Sequence, residues 1–156
     1  MNRRDLLKLA PAAALAQPAA PWKPQLFDDH QNETVVALSD LIIPATDTPG
    51  AKLALVNRHL DRLLHDGPAA AHHQFLEGLA ALDGLALRTH QQPFVRCTEA
   101  QRTALLEALD QRGDSFFRRA KALIAQIYYS TEIGFKELNK GGRVPQSFGC
   151  EHGGHA

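Results

Sequence analysis

The chain is predicted to be all-α: one compact bundle of about five helices, with a flexible N-terminal leader and an extended C-terminal tail. Three observations predict this. After Trp22, apolar residues recur at helical spacing while strand-length alternation is scarce. Capping-box starts stand at Asp28/Gln31 and Thr98/Gln101, and proline or glycine follows each periodic run. Once a short leader is set aside, about 140 residues remain, a length that supports a single core.

Residues 1–16 read as a twin-arginine export signal. Arg3, Arg4, Leu7 and Lys8 fall in the motif's positions, and a short apolar run ends at the small-x-small site Ala14-Leu15-Ala16. Cleavage is expected after Ala16, with Ala20 as the alternative. Lys8 and Pro11 interrupt the run, which falls far short of the ~20 apolar residues of a membrane span, so no lasting anchor is expected. Residues 17–27 form a Pro/Ala-rich leader expected to be flexible or extended.

The helical domain is placed at 28–140. Its first helix starts at the Asp28 cap, lines one face with Val35, Leu38, Leu41 and Ile42, and must end near Ile43, because Pro44 disfavours helical geometry in the residue before it. Residues 44–51 hold two prolines, short polar side chains and Gly50, the composition of a rigid turn. A second helix is expected over 51–65 with Leu53, Val56, Leu60 and Leu63 inward, stopped by Gly67. Pro68 at a first helical position starts a third, with Phe75, Leu79, Leu82 and Ala86 inward.

Residues 91–97 are read as a loop. Thr98 then caps a fourth helix carrying Leu105, Leu106 and Leu109, closed by Gly113. Asp114 or Ser115 caps the longest element, expected over 116–138 with Phe116, Ala120, Leu123, Ile127, Thr131 and Leu138 as its stripe and Gly141-Gly142 as its end. Residues 141–156 contain Pro145 and several glycines, show no period, and are expected to be an extended tail.

Composition excludes several function classes. Lys+Arg and Asp+Glu both number 17, so there is no electrostatic footprint for nucleic acid. There is no Cys-x-x-Cys-His for covalent haem, no Gly-x-Gly-x-x-Gly for a dinucleotide and no Gly-x-Ser-x-Gly elbow, so no catalytic residue and no bound cofactor are assigned to this chain. The two cysteines, Cys97 and Cys150, can pair with each other; alternatively Cys97 is a buried thiol and Cys150 reaches a partner.

The eight histidines are poorly spaced for a metal. His72 and His73 are adjacent and point to different sides of a helix, and His59 and His65, six apart, do not share a face well. The tail residues Cys150, His152 and His155 are the better metal candidates, although ordering so glycine-rich a segment opposes binding.

Several segments together carry a resemblance: Trp22-Lys23-Pro24, residues 41–51, Phe75-Leu76-x-Gly78-Leu79, Pro93-Phe94, Tyr129-x-Thr131-Glu132-x-Gly134, and Cys150 after Gly149. They resemble the gluconate 2-dehydrogenase subunit 3 family over nearly the whole chain, and the Ile-Pro-Ala-Thr-Asp-Thr-Pro-Gly-Ala run is the most specific part. The tail departs from the pattern, continuing as Glu-His-Gly-Gly-His-Ala instead of a short apolar end.

The resemblance implies a non-catalytic small subunit of a periplasmic, FAD-dependent sugar or sugar-acid dehydrogenase. A flavoprotein of the glucose–methanol–choline type would be its partner and hold the FAD, and a multi-haem cytochrome c is a further implied partner. The small subunit would carry the twin-arginine signal to the translocase for both proteins and assist assembly. Trp22, Pro44, Asp47, Pro49, Gly50, Tyr129, Gly134 and Cys150 become candidate partner contacts. The alternative is a free-standing periplasmic helical binding module, or a metal-binding protein using the Cys/His tail.

Overall fold

The computed structural model describes residues 21–139. Among them are six α-helices and no strand: α1 Asp29–Ile42, α2 Val56–His65, α3 Ala69–His90, α4 Glu99–Gln111, α5 Ser115–Ser130 and α6 Glu132–Asn139, with a 3₁₀ turn at Phe94–Arg96. The core gathers Val35 and Leu38 of α1, Leu60 of α2, Phe75, Leu79 and Ala86 of α3, Phe94, and Ile124 and Tyr128 of α5. α5 is central, touching α1, α2, α3, α4 and α6.

Local chemistry sets most of the starts. Asp28 accepts from the Gln31 amide at 2.7 Å while Gln31 accepts from the Asp28 amide at 3.0 Å, so two of the donors at the helix start are satisfied. Thr98 and Gln101 repeat the arrangement for α4, and Asp114 caps α5 through the Phe117 amide at 3.0 Å. Pro68 stands one position outside α3, at its N-cap with extended backbone, instead of at the first helical position.

Two elements differ from the sequence-based expectation. The second helix begins at Val56 instead of at residue 51, because Leu55 takes a left-handed backbone (φ 54°, ψ 37°) and breaks the helical path. Its inward face is also rotated: Leu53 and Leu63 are 64% and 49% exposed, while Asp61 is 1% exposed and lies beside Leu60 and Leu64. Asp61 turns inward because its carboxylate accepts three backbone N–H groups, from Gln25 at 2.8 Å, Leu26 at 3.0 Å and Phe27 at 2.9 Å. That set satisfies a buried charge which would otherwise be costly.

The expected helix over 116–138 is two helices meeting at Thr131, whose extended backbone (φ −80°, ψ 158°) ends α5. The Thr131 hydroxyl donates to the Tyr128 carbonyl at 2.6 Å and accepts from the Gly134 amide at 3.2 Å, closing one helix and opening the next. The inward stripe is accordingly Phe117, Ala120, Ile124, Ile127 and Tyr128, with Leu138 exposed. The longest described helix is therefore α3, at 22 residues. Within the expected loop 91–97, the 3₁₀ turn buries Phe94, whose amide donates to Asp83 at 2.9 Å; the other Asp83 oxygen meets His30 and ties α3 to α1.

Candidate functional site

The turn between α1 and α2 is fastened to the α5–α6 corner, and this clasp is built from residues distant in sequence. Ala51 donates to the Ile43 carbonyl at 2.9 Å and Thr46 to the Thr48 carbonyl at 3.0 Å, which folds the turn on itself. Gly50 sits at the crossing point: a Cβ there would lie 2.5 Å from the Ala45 nitrogen and 2.6 Å from the Ile43 oxygen. Only glycine permits that approach.

From below, Tyr128 of α5 reaches the turn. Its hydroxyl lies 2.6 Å from the Pro49 carbonyl and 2.5 Å from the Glu137 carboxyl of α6, and the Thr48 hydroxyl donates to the other Glu137 oxygen at 3.2 Å. The Tyr128 side chain is fully buried. Burial first, and then the Glu137 carboxyl, push its pKa up to about 12. The hydroxyl thus keeps its one proton over the ordinary pH range, and that proton is shared between the Pro49 carbonyl and the Glu137 carboxyl, joining turn, α5 and α6. Between turn and α6 lies an open recess of about 670 Å³, bordered by Thr46, Asp47, Pro49, Ile133, Lys136 and Glu137.

The candidate partner-contact residues fall into distinct situations. Pro44, Asp47 and Pro49 are exposed on the turn, and Gly50 is buried beneath it. Tyr129 is exposed, its ring edge-on to Tyr128. Gly134 is buried, and the backbone that approaches it belongs to this chain: a Cβ there would lie 2.1 Å from the Tyr128 oxygen. Trp22 is exposed with the Arg58 guanidinium 5.0 Å from its ring centroid. Arg3, Arg4, Leu7 and Lys8 of the signal, and Cys150, His152 and His155 of the tail, lie outside the described residues.

Cys97 is buried, its thiol 3.8 Å from the Gln92 carbonyl, and burial pushes the thiol's pKa up. Among the described residues no group of three or more His, Cys, Asp or Glu side chains is placed to hold a metal ion, and no helix is long and apolar enough to cross a membrane. His72 and His73 meet edge-on at 4.5 Å, and His59 and His65, expected on different faces, both border one recess beside α2.

Sequence reasoning missed Asp61, Glu137 and the Tyr128 hydroxyl. The one local signal was an acidic residue on an otherwise apolar face, at Asp61 beside Leu60 and Leu64, which argues for a buried polar contact.

The chain matches no curated protein and no solved structure. The model of the family Gluconate 2-dehydrogenase subunit 3 matches residues 29–142, from the first residue of α1 to beyond α6, and so takes in both the Pro44–Gly50 turn and the corner that clasps it. On that match the chain belongs to the gluconate 2-dehydrogenase subunit 3 family, small accessory subunits of a dehydrogenase complex.

Proposed function

We propose that this chain is the non-catalytic small subunit of a periplasmic, FAD-dependent sugar or sugar-acid dehydrogenase, and that it carries the twin-arginine signal under which the catalytic subunit is folded, assembled and exported. The observation that carries the reading is the family match across the whole described bundle, from Asp29 onward. The Arg3-Arg4 pair, with Leu7 and Lys8 behind it, supports the export role. Exposed apolar side chains on α2 and α6, Leu63, Phe135 and Leu138 among them, support a partner-bound state in which they are covered.

In this role the chain binds the folded catalytic subunit and shifts its folding equilibrium by mass action. The FAD belongs to that partner, and a multi-haem cytochrome c accepts its electrons. Coexpression of the flavoprotein with the full chain tests the export role. Flavoprotein activity appears in the periplasm with the native chain and stays in the cytoplasm with Arg3→Lys/Arg4→Lys; periplasmic activity unchanged by that substitution rules the carrier role out.

A further inference from the structure

Two recesses along α2 share His59 and form one continuous exposed face. The larger, about 620 Å³, is bordered by Trp22, Lys23, Leu55, Arg58 and Arg62. The smaller, about 270 Å³, lies between Leu63 and the end of α5. Helical spacing accounts for most of the arrangement: His59 and Leu63 stand four apart on one stripe and Arg58 and Arg62 on the next, with Leu55 at the N-cap just ahead of them.

Three features separate this face from an ordinary solvated helix surface. Cations outnumber carboxylates here, in a chain whose Lys+Arg and Asp+Glu both total 17: Lys23, Arg58 and Arg62 border the recess together with Asp61, which is buried against backbone amides, and Asp66, which pairs with Arg62 and His65, so Lys23 and Arg58 carry the exposed excess. Leucines stand exposed between the charges. Leu55, moreover, is held at φ 54° while 41% exposed, a left-handed conformation that crowds a leucine's Cβ.

We propose that the α2 face is the docking surface for the catalytic subunit of the dehydrogenase, and that it receives a surface of acidic side chains flanking an apolar patch. This rests on the accessory-subunit reading and adds to it the face and its chemistry. Trp22 over Arg58 supplies an aromatic and a guanidinium, the residue types that dominate binding energy at interfaces. A second copy of this chain is a poorer occupant, because a two-fold contact on this face sets Arg58 and Arg62 against their own copies.

The test uses the full chain and the coexpressed catalytic subunit, with Kd measured by titration at low and high NaCl. Arg58→Glu/Arg62→Glu and, separately, Leu63→Glu are expected to weaken binding at least about tenfold, with native binding also weakening as salt rises. Arg88→Glu/Arg118→Glu, exposed on α3 and α5 and bordering neither recess, should leave Kd unchanged. Circular-dichroism melting verifies that each variant folds. If the native chain binds and the α2 variants bind equally well, the docking face is overturned while the accessory role stands. If the native chain fails to bind, both fall. If the α2 variants abolish self-association of the chain and leave its affinity for the catalytic subunit intact, the occupant is a second copy and the proposal is overturned.

Discussion

The hydroxyl of Tyr128 lies 2.5 Å from the carboxyl of Glu137, across the corner at which α5 gives way to α6, and the same hydroxyl holds the Pro49 carbonyl at 2.6 Å. One buried oxygen thereby fixes three segments. The turn between α1 and α2 is tied to the bundle by this contact and by Thr48, so its exposed residues are presented from the α5–α6 corner.

Tyr128→Phe removes the hydroxyl and deprives both the Pro49 carbonyl and the Glu137 carboxyl of this partner. The expected loss is about 2 kcal/mol of unfolding free energy, read from urea denaturation, with faster amide exchange in α6. An unchanged midpoint would mean that turn and corner are held by other contacts.

Alkaline pH should release the same clasp. The folded state raises the Tyr128 pKa from 10.0 to about 12, so folding favours the protonated phenol. This contribution is fully present below pH 10, declines as pH rises from 10 to about 12, and is gone above that. Phenolate absorbance followed against pH, alongside denaturant midpoints, should show both changes in this window, and Tyr128→Phe should abolish the Tyr128 part of each.

Asp61→Asn keeps the volume of the side chain but replaces one acceptor oxygen with an NH₂ donor facing backbone donors. A loss of about 3 kcal/mol is expected, with detachment of the segment at Gln25–Phe27. Trp22, the single tryptophan, lies just upstream, so its emission should shift to the red in the variant. Emission and stability both unchanged would remove the clamp from the account.

Along the chain, legibility followed the range of the interactions. The Asp28/Gln31 and Thr98/Gln101 caps each satisfy donors three residues away, and the Phe75, Leu79, Leu82 and Ala86 stripe needs only a 3.6-residue period, so each could be read directly. The rotation of α2 could not: Asp61 is buried because of amides 34 to 36 residues upstream. Tyr128 meets a carbonyl 79 residues away, which no local pattern encodes. The Thr131 break was only partly visible, as a threonine ahead of Glu132 on a stripe that otherwise continued. Pro44, Asp47 and Pro49 are exposed on the turn, whereas the groups that fasten it came from the fold alone.

Leu55, at the N-cap of α2, and Leu60, within the helix, offer a contrast. Leu60→Ala opens a cavity in the core and should cost about 3 kcal/mol. Leu55→Gly removes one carbon more than Leu60→Ala does, yet should cost less than about 1 kcal/mol, because glycine accepts the left-handed backbone that leucine resists. Thermal melts of the two variants decide the matter, and equal losses would show that Leu55 is held by packing after all.

The central claim is that this chain works as one subunit of a flavoprotein complex. Size-exclusion chromatography of the coexpressed full chain and catalytic subunit, monitored by flavin absorbance, tests it most directly. The account predicts that the chain co-elutes with the flavin in a stoichiometric complex; a chain that elutes alone, with the flavoprotein folded and active without it, contradicts the claim.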